Sequence, residues 1–359
     1  MPLNLFVSHS IATGCVKVKG IFNLQPNILK RKENICAMGK PHGLSSEFMT
    51  ISFCAIQESW RYGKIIEIMS IIIGESMEIY EKAPAKINLG LDILYKRPDQ
   101  YHELKMVMAS IDLADHLKFE TLPTDEIIVE TNKAFLPVDK RNNVYQAAEL
   151  LKQRYHIKKG IKISIEKNIP VAAGLGGGSS DCAAALRGLN RLWQLDLSLG
   201  ELVDLGMQVG TDVPYCLYGT TSAVFGKGEI VQPIESMPQC WVVLVKPKIS
   251  VSTRKIFQLV DVAQLFHPDI DELIAAIQAK DYLQMQKHMG NSLEQVTIDK
   301  YPIVAKVKDK MLQFGADVAL MSGSGPTVFA LCQKYSRAQR IYNALKGFCD
   351  EVYLVRTLP

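Results

Sequence analysis

The chain has no long apolar run. Its longest early stretch of that kind, Ile65 to Ile73, is interrupted by Glu67 and falls well short of the about 20 residues a helix needs to cross a bilayer. A secretory layout, with an apolar core before a small-residue cleavage site, is also missing. The eight cysteines form no C-x-x-C pair, which argues against a zinc site and a disulfide framework and for a reducing compartment. The net charge of +4 comes without a basic stripe interleaved with aromatics, so the electrostatic footprint of a nucleic-acid or anionic-membrane binder is absent. There are no internal repeats and no low-complexity tracts. A cytoplasmic protein that handles a small molecule is the expectation.

The composition is that of an ordinary globular protein, 48% hydrophobic and 22% charged over 359 residues. That length exceeds what one core usually holds, so two domains are expected. Residues 1–76 stand apart. They show no sustained period and hold three of the eight cysteines. The expectation is a disordered extension or an over-early gene start, with translation beginning at Met77. The first 32 residues lack acids, which leaves a transit peptide, and with it a plastid location, as the alternative. A regular pattern starts at Met77. A composition change at Pro233 to Pro238 divides the rest, giving expected domains at 77–235 and 236–359.

One glycine-rich run dominates the remainder: Gly174-Leu175-Gly176-Gly177-Gly178-Ser179-Ser180-Asp181. Ahead of it, Ile161, Ile163 and Ile165 alternate with polar residues as in a half-buried strand, which Pro170 ends. Behind it, Cys182, Ala185, Leu186, Leu189 and Trp193 recur at helical spacing, with Ser179 or Ser180 as the expected N-cap. A loop so poor in side chains exposes backbone N–H groups. At a helix start they would face an anion together with roughly +0.5 charge from the helix dipole. A plain tight turn is the alternative. Two better-known phosphate loops are excluded, since no Lys follows the glycines and Ser179 occupies the last position of G-x-G-x-x-G. The H-R-D and D-F-G signatures of protein kinases are missing too.

Other segments carry polar groups in suggestive places. Strand Ile79 to Leu94 puts Ile87, Leu89, Leu91 and Ile93 on one face and Lys86, Asn88, Gly90 and Asp92 on the other; a solvated polar face is the simplest reading of the second set. Arg97 to Leu104 turns into a strand from Met106 to Leu113, and its Tyr101-His102 pair suits a planar polar base or a turn-packing role. Asn142-Asn143 caps a helix from Val144 to Tyr155. Gly210-Thr211-Asp212-Val213-Pro214 follows helix Leu202 to Met207, where Asp212 would be an ordinary turn former. Further on come strand Trp241–Lys246, helices at 271–279 and 303–314, a second glycine-serine turn from Ser322 to Thr327, strand Val328–Cys332, helix 338–347 and strand Glu351–Arg356. This mix of strands and helices indicates an α+β protein.

Each signal is ambiguous alone, but their order is not. Ala83-Pro84-Ala85-Lys86-Ile87-Asn88-Leu89 comes first. The stretch from Pro170 to Asp181, the Gly210 to Pro214 loop and Ser322-Gly323-Ser324-Gly325-Pro326-Thr327 follow. In this arrangement, from Met77 onward, the chain resembles the GHMP small-molecule kinases. The triple glycine before Ser179 and the Tyr101-His102-Glu103-Leu104 run separate it from the family's homoserine, mevalonate and galactose kinases. Two departures from the family pattern are Gln100, where glycine is usual, and Cys182, where alanine is usual. Neither removes a chemical group.

The resemblance implies a ribosomal-S5-domain-2-like N-terminal domain and a ferredoxin-like C-terminal domain with the site between them. It implies ATP-dependent phosphorylation of the 2-hydroxyl of a cytidylated methylerythritol, a step of non-mevalonate isoprenoid synthesis. Another acceptor of the same family, or a non-catalytic nucleotide-binding regulator, is the alternative. ATP and Mg2+ are the implied cofactors, with the metal carried on the nucleotide and not held by protein side chains. A monomer or weak homodimer is expected. By matched position, Lys86 and Asp212 are catalytic. Pro170, Val171, Ala172, Ala173, Gly174, Leu175, Gly176, Gly177, Gly178, Ser179 and Ser180 hold ATP, with Asn143 and Lys167 near the adenine. Asn88, Tyr101, His102, Phe257, Ser322, Gly323, Ser324 and Gly325 face the acceptor.

Overall fold

The computed structural model describes residues 6–10, 15–21, 48–54 and 78–359. The chain divides into two compact units, Met1–Met77 and Glu78–Pro359. In the first, strands β1 (Phe6–Ser10), β2 (Cys15–Ile21) and β3 (Phe48–Cys54) form an antiparallel sheet in that order. The remainder of the expected 1–76 extension lies outside the described residues.

The second unit contains two sheets. Strands β4 (Glu78–Lys96) and β5 (His102–Leu122) pair antiparallel along nearly their whole lengths. The length of β5 lets it serve two further partners. Its start pairs with β8 (Ser222–Gly226), which carries β9 (Ile230–Pro233). Its end pairs with β7 (Gly160–Glu166), which carries β6 (Ile127–Thr131) in parallel. On the far side of β4 lies the two-residue strand β11 (Gly290–Asn291), also parallel. The second sheet is antiparallel throughout, with β12 (Val318–Met321), β13 (Val328–Cys332), β10 (Trp241–Lys246) and β14 (Glu351–Arg356) in spatial order.

One core joins the sheets. Ile87, Leu89, Val107 and Ile111 of the first pack in the same apolar cluster as Val242, Leu244, Leu320 and Phe329 of the second, with Ile270, Leu273 and Ile277 of helix Ile270–Gln278 beside them. This placement overturns the expectation of a solvated polar face on β4. The strand is covered on both sides and is buried continuously from Ala85 to Ile93. A bulge between Asn88 and Gly90 breaks its register. Lys86 and Asn88, 5% and 1% exposed, are therefore interior polar groups that need partners.

Sequence periodicity located most of the elements it named within a few residues. Strands β10, β13 and β14 match their predicted ranges. Asn142 caps helix Asn143–Arg154 as expected, its side chain accepting from Val144 N–H at 2.9 Å. Strand β5 runs well past the predicted range at both ends. Gln100 adopts φ +70° in the turn before it, a left-handed conformation that explains why glycine is usual there. Phe119, fully buried on β5, packs its ring where a side chain at Gly188 would sit, locking helix Gly177–Leu192 to the sheet. Truncation to Phe119→Ala is expected to lower the unfolding free energy by about 3–5 kcal/mol, measured by urea denaturation.

Candidate active site

The glycine-rich loop leaves β7 and runs into helix Gly177–Leu192. Its N-cap is Gly176 at φ +70°, with no side chain capping the helix. This corrects the predicted serine cap. The helix starts two residues before Ser179, because glycine adopts the left-handed cap conformation without steric cost. Ser180 is used elsewhere: its hydroxyl donates to Pro84 O at 2.7 Å, tying the helix to β4. The first helical N–H groups, up to Ser179, are thus left without intrahelical or side-chain partners at the positive end of the helix dipole. Gly174 is required by close approach. A Cβ there would lie 2.2 Å from Ser322 O, and Gly174 O accepts the Ser322 hydroxyl at 2.9 Å.

An ion cluster holds the loop from beneath. The Lys167 ammonium bonds Asp115 of β5 and Asp181 of the helix, the latter at 2.5 Å, and all three side chains are buried. Asp115 also accepts the N–H groups of Asn168 and Ile169, at 2.5 and 2.8 Å. Both ends of the loop are therefore fastened to one point. Burial pushes the Asp181 carboxyl above the usual carboxylate range; Lys167 pulls it back and Asp115 adds to the rise. Asp181 Oδ1 is buried and makes no hydrogen bond.

Lys86 stands on the other side of the loop. Its backbone N–H donates to Leu175 O at 3.0 Å, and its stem runs past Gly176, where a Cβ would lie 2.9 Å from Lys86 Cγ. The ammonium donates to Asn88 Oδ1 at 2.7 Å and lies 3.7 Å from Asp212 Oδ2. Asn88 in turn donates to the Met106 thioether at 3.6 Å. Asp212 occupies the cap position of helix Val213–Tyr218 but makes no capping bond. Its carboxylate, 32% exposed, reaches both Lys86 and open space.

A further wall faces this group. His102 is buried, and its ring centroid lies 5.5 Å from that of Phe257. Burial, with Lys96 nearby, lowers the His102 pKa and favours the neutral ring. Tyr101 is 56% exposed, with the Lys227 ammonium 4.9 Å from its ring centroid. Ser324 bonds Thr253 hydroxyl to hydroxyl at 2.8 Å. Asn291 secures the second glycine-serine turn, donating to Met321 O and Gly323 O at 2.8 Å each.

These segments enclose one cleft of about 1260 Å3. Lys86, Asn88, Tyr101, His102, Asn143, Lys167, Asp212, Phe257, Gly323 and Ser324 line it, as does the loop from Pro170 to Ser179. Ser180, Ser322 and Gly325 do not; the first two spend their hydroxyls on backbone carbonyls. Of the nucleotide-side residues, Asn143 lies beside the start of the helix, its amide 3.5 Å from where a Cβ of Gly178 would sit. A cleft offering free N–H groups, an ammonium, a carboxylate and an aromatic wall can hold a polyanion beside a hydroxyl-bearing acceptor.

Known proteins resemble this chain. Residues 142–220 match the GHMP kinases N terminal domain and residues 273–351 the GHMP kinases C terminal domain. The chain is 64% identical over 282 residues to 4-diphosphocytidyl-2-C-methyl-D-erythritol kinase of Enterococcus faecalis, covering 79% of this chain and 100% of that protein. The chain belongs to this family of GHMP kinases. The Geobacillus thermodenitrificans kinase of the same name is 56% identical, with 79% and 98% covered. A crystal structure of 4-(cytidine 5'-diphospho)-2C-methyl-D-erythritol kinase superposes with a TM-score of 0.68 at 30% identity, covering 78% of this chain and all of that one. Homoserine kinase from Cytophaga hutchinsonii, at 22% identity and a TM-score of 0.66, shares the fold. The α+β architecture with GHMP N- and C-terminal domains is thereby established for this kinase.

Several residues in and around the kinase's cleft escaped sequence reasoning. Asp115 and Asp181 were missed, although an acid interrupting the apolar run of a strand, as Asp115 does, signals a buried partner. Thr253 and Asn291 had no local signature. Two measurements test the loop. Lys167→Met leaves the carboxyl groups of Asp115 and Asp181 uncompensated and is expected to cost about 3–5 kcal/mol of stability, read by denaturant unfolding. A side chain at Gly178 meets only the Asn143 amide at an ordinary 3.5 Å. Gly178→Ala is therefore expected to keep the melting temperature while weakening nucleotide affinity roughly tenfold in calorimetry.

Proposed function

We propose that this kinase transfers the γ-phosphoryl group of ATP to the 2-hydroxyl of 4-diphosphocytidyl-2-C-methyl-D-erythritol, in non-mevalonate isoprenoid precursor synthesis. The carrying observation is the 3.7 Å approach of Lys86 to Asp212, beside a helix start whose N–H groups no side chain caps. Phosphoryl transfer asks a protein mainly for placement and charge neutralisation, and this cleft supplies both.

In the proposed reaction the glycine-rich loop cradles the phosphates of ATP through backbone N–H groups. Asp212 accepts the proton of the acceptor hydroxyl as its oxygen forms a bond to the γ-phosphorus. The bond from that phosphorus to the bridging oxygen breaks, and ADP leaves with the electron pair. Lys86 offsets negative charge on the transferring group. Asn88, held by the Lys86 ammonium, orients the acceptor. His102 and Phe257 hold the cytosine between edge hydrogen bonds and an apolar ring, with Tyr101 at the rim. Among the described residues no group of three or more His, Cys, Asp or Glu could hold a metal ion. The Ser179 hydroxyl is a hard oxygen donor in the same cleft, so it would suit Mg2+ carried in on the nucleotide. Such an ion would neutralise phosphate charge. The protein itself supplies the proton acceptor and the placement.

A coupled assay on the full chain should show ADP release that depends on the cytidylated acceptor and not on homoserine, mevalonate or galactose. Turnover with one of those three and none with the cytidylated compound overturns the proposal. In the same assay Asp212→Asn is expected to lower kcat by about 10²–10⁴-fold with ATP affinity within about twofold of the parent. Parental turnover in that variant removes Asp212 from the proton-accepting role.

A further inference from the structure

Asp92 lies on β4, four residues beyond Asn88, and is not part of the cleft lining. Its Oδ1 makes two contacts to segments remote in sequence. His267 Nδ1 bonds it at 2.7 Å, and the Ser292 hydroxyl donates to it at 2.9 Å. Asp92 is buried, whereas the His267 ring is about half exposed and its other nitrogen lies 3.3 Å from Val262 O. A buried carboxylate needs partners, so this site is built and not incidental.

The two segments it fastens both lead to the acceptor wall. Upstream of His267, the stretch from Thr253 to Val260 contributes Thr253, Arg254, Phe257, Gln258 and Val260 to the cleft. It is anchored at its start by the Thr253–Ser324 bond and by the buried Ile256. Beyond Val260 only one short 3-10 turn, Val262–Gln264, intervenes before His267. Ser292 directly follows Asn291, which carries the second glycine-serine turn. One carboxylate on the strand that bears Lys86 and Asn88 thus holds the far end of both walls.

We infer that Asp92 and His267 form a clasp that positions Phe257 and its segment against His102, and so sets the affinity for the cytidylated acceptor without touching it. His267 is a positioning residue in this role. Its bond to the Asp92 carboxylate raises the His267 pKa above its ordinary value, and a hydrogen bond to an ionised acceptor is stronger than a neutral one. The inference rests on the acceptor proposed above.

The experiment uses full-length His267→Ala, with His267→Asn as the conservative variant. An asparagine amide can occupy the place of Nδ1 and donate to the same carboxylate oxygen. For His267→Ala, KM for the cytidylated acceptor is expected to rise roughly tenfold, while KM for ATP and kcat stay within about twofold. His267→Asn is expected to recover most of that loss. Hydrogen exchange of residues 253–267, measured without substrate, is expected to quicken in the alanine variant and return towards the parent in the asparagine variant. An unchanged acceptor KM in an active His267→Ala enzyme overturns the clasp and leaves the proposed reaction standing, as does an equal rise in both KM values. A parent enzyme inactive on the cytidylated acceptor overturns the reaction, and the positioning role with it, whatever the exchange rates do.

Discussion

The Lys167 ammonium between Asp115 and Asp181 is the point to which the geometry of the glycine-rich loop is referred. It fastens a strand, the entry of the loop and the first turns of the following helix. The net stability such a cluster adds is small, because the desolvation of buried charges offsets most of their attraction. What it does add is exclusivity. Any alternative path for the loop strands a charge in the interior, at a cost of several kcal/mol, a large share of the 5–15 kcal/mol that separates a typical fold from its unfolded state. The loop itself cannot supply this constraint. Its glycines bring no side chains to pack, and a glycine-rich segment has the most backbone freedom to lose. A buried ion cluster beneath a side-chain-poor loop is a consistent solution: rigidity comes from below, and the upper surface is left bare.

A similar logic governs β4. Lys86, Asn88 and Asp92 are polar groups on a strand that is buried on both faces, and each is kept by a partner from a different part of the chain. Lys86 has Asp212, Asn88 has Lys86 and Met106, and Asp92 has Ser292 and His267. The position between them, Gly90, takes the close approach of Ile270 and Leu273. Polar residues in such a strand are costly unless satisfied. Their partners therefore act as a register check on the fold, since a slip of one residue would turn all of them onto the opposite, apolar side.

How much of this was legible in the sequence follows from the range of each interaction. Period-two and helical spacings are local, so strands such as β10 and β13, and helix Asn143–Arg154 with its Asn142 cap, could be read directly. The order of the motifs was enough to bring Lys86, Asp212 and the glycine-rich loop into one site. The start of the glycine-loop helix was misread because a serine cap is the commoner solution; the left-handed Gly176 took its place, and that substitution is what leaves the N–H groups free. The polar face of β4 was misread as solvated because alternation reports which side a residue is on, not what covers that side. The pairings of Asp115, Asp181 and His267 could not be read, since their partners lie 52, 14 and 175 residues away and nothing in a short window shows which residue is the partner.

The division of labour within the cleft follows from magnitudes. Correct placement of reacting groups can supply roughly 7–11 kcal/mol of a barrier. A positioned proton acceptor supplies about 10²–10⁴-fold, or roughly 3–5 kcal/mol. In the proposed reaction the placing groups would be largely backbone: N–H groups at an uncapped helix start, and a turn whose carbonyls are held by Asn291. No substitution other than proline deletes a backbone N–H. Loss of placement would therefore come largely through residues that shape the backbone, such as Gly174 beneath the Ser322 turn, or Asp115 beneath the loop. In the proposed reaction the energetically largest part of the site would thus be carried by residues that shape the backbone, and Asp212 would complete a geometry that buried ion pairs and glycines have already imposed.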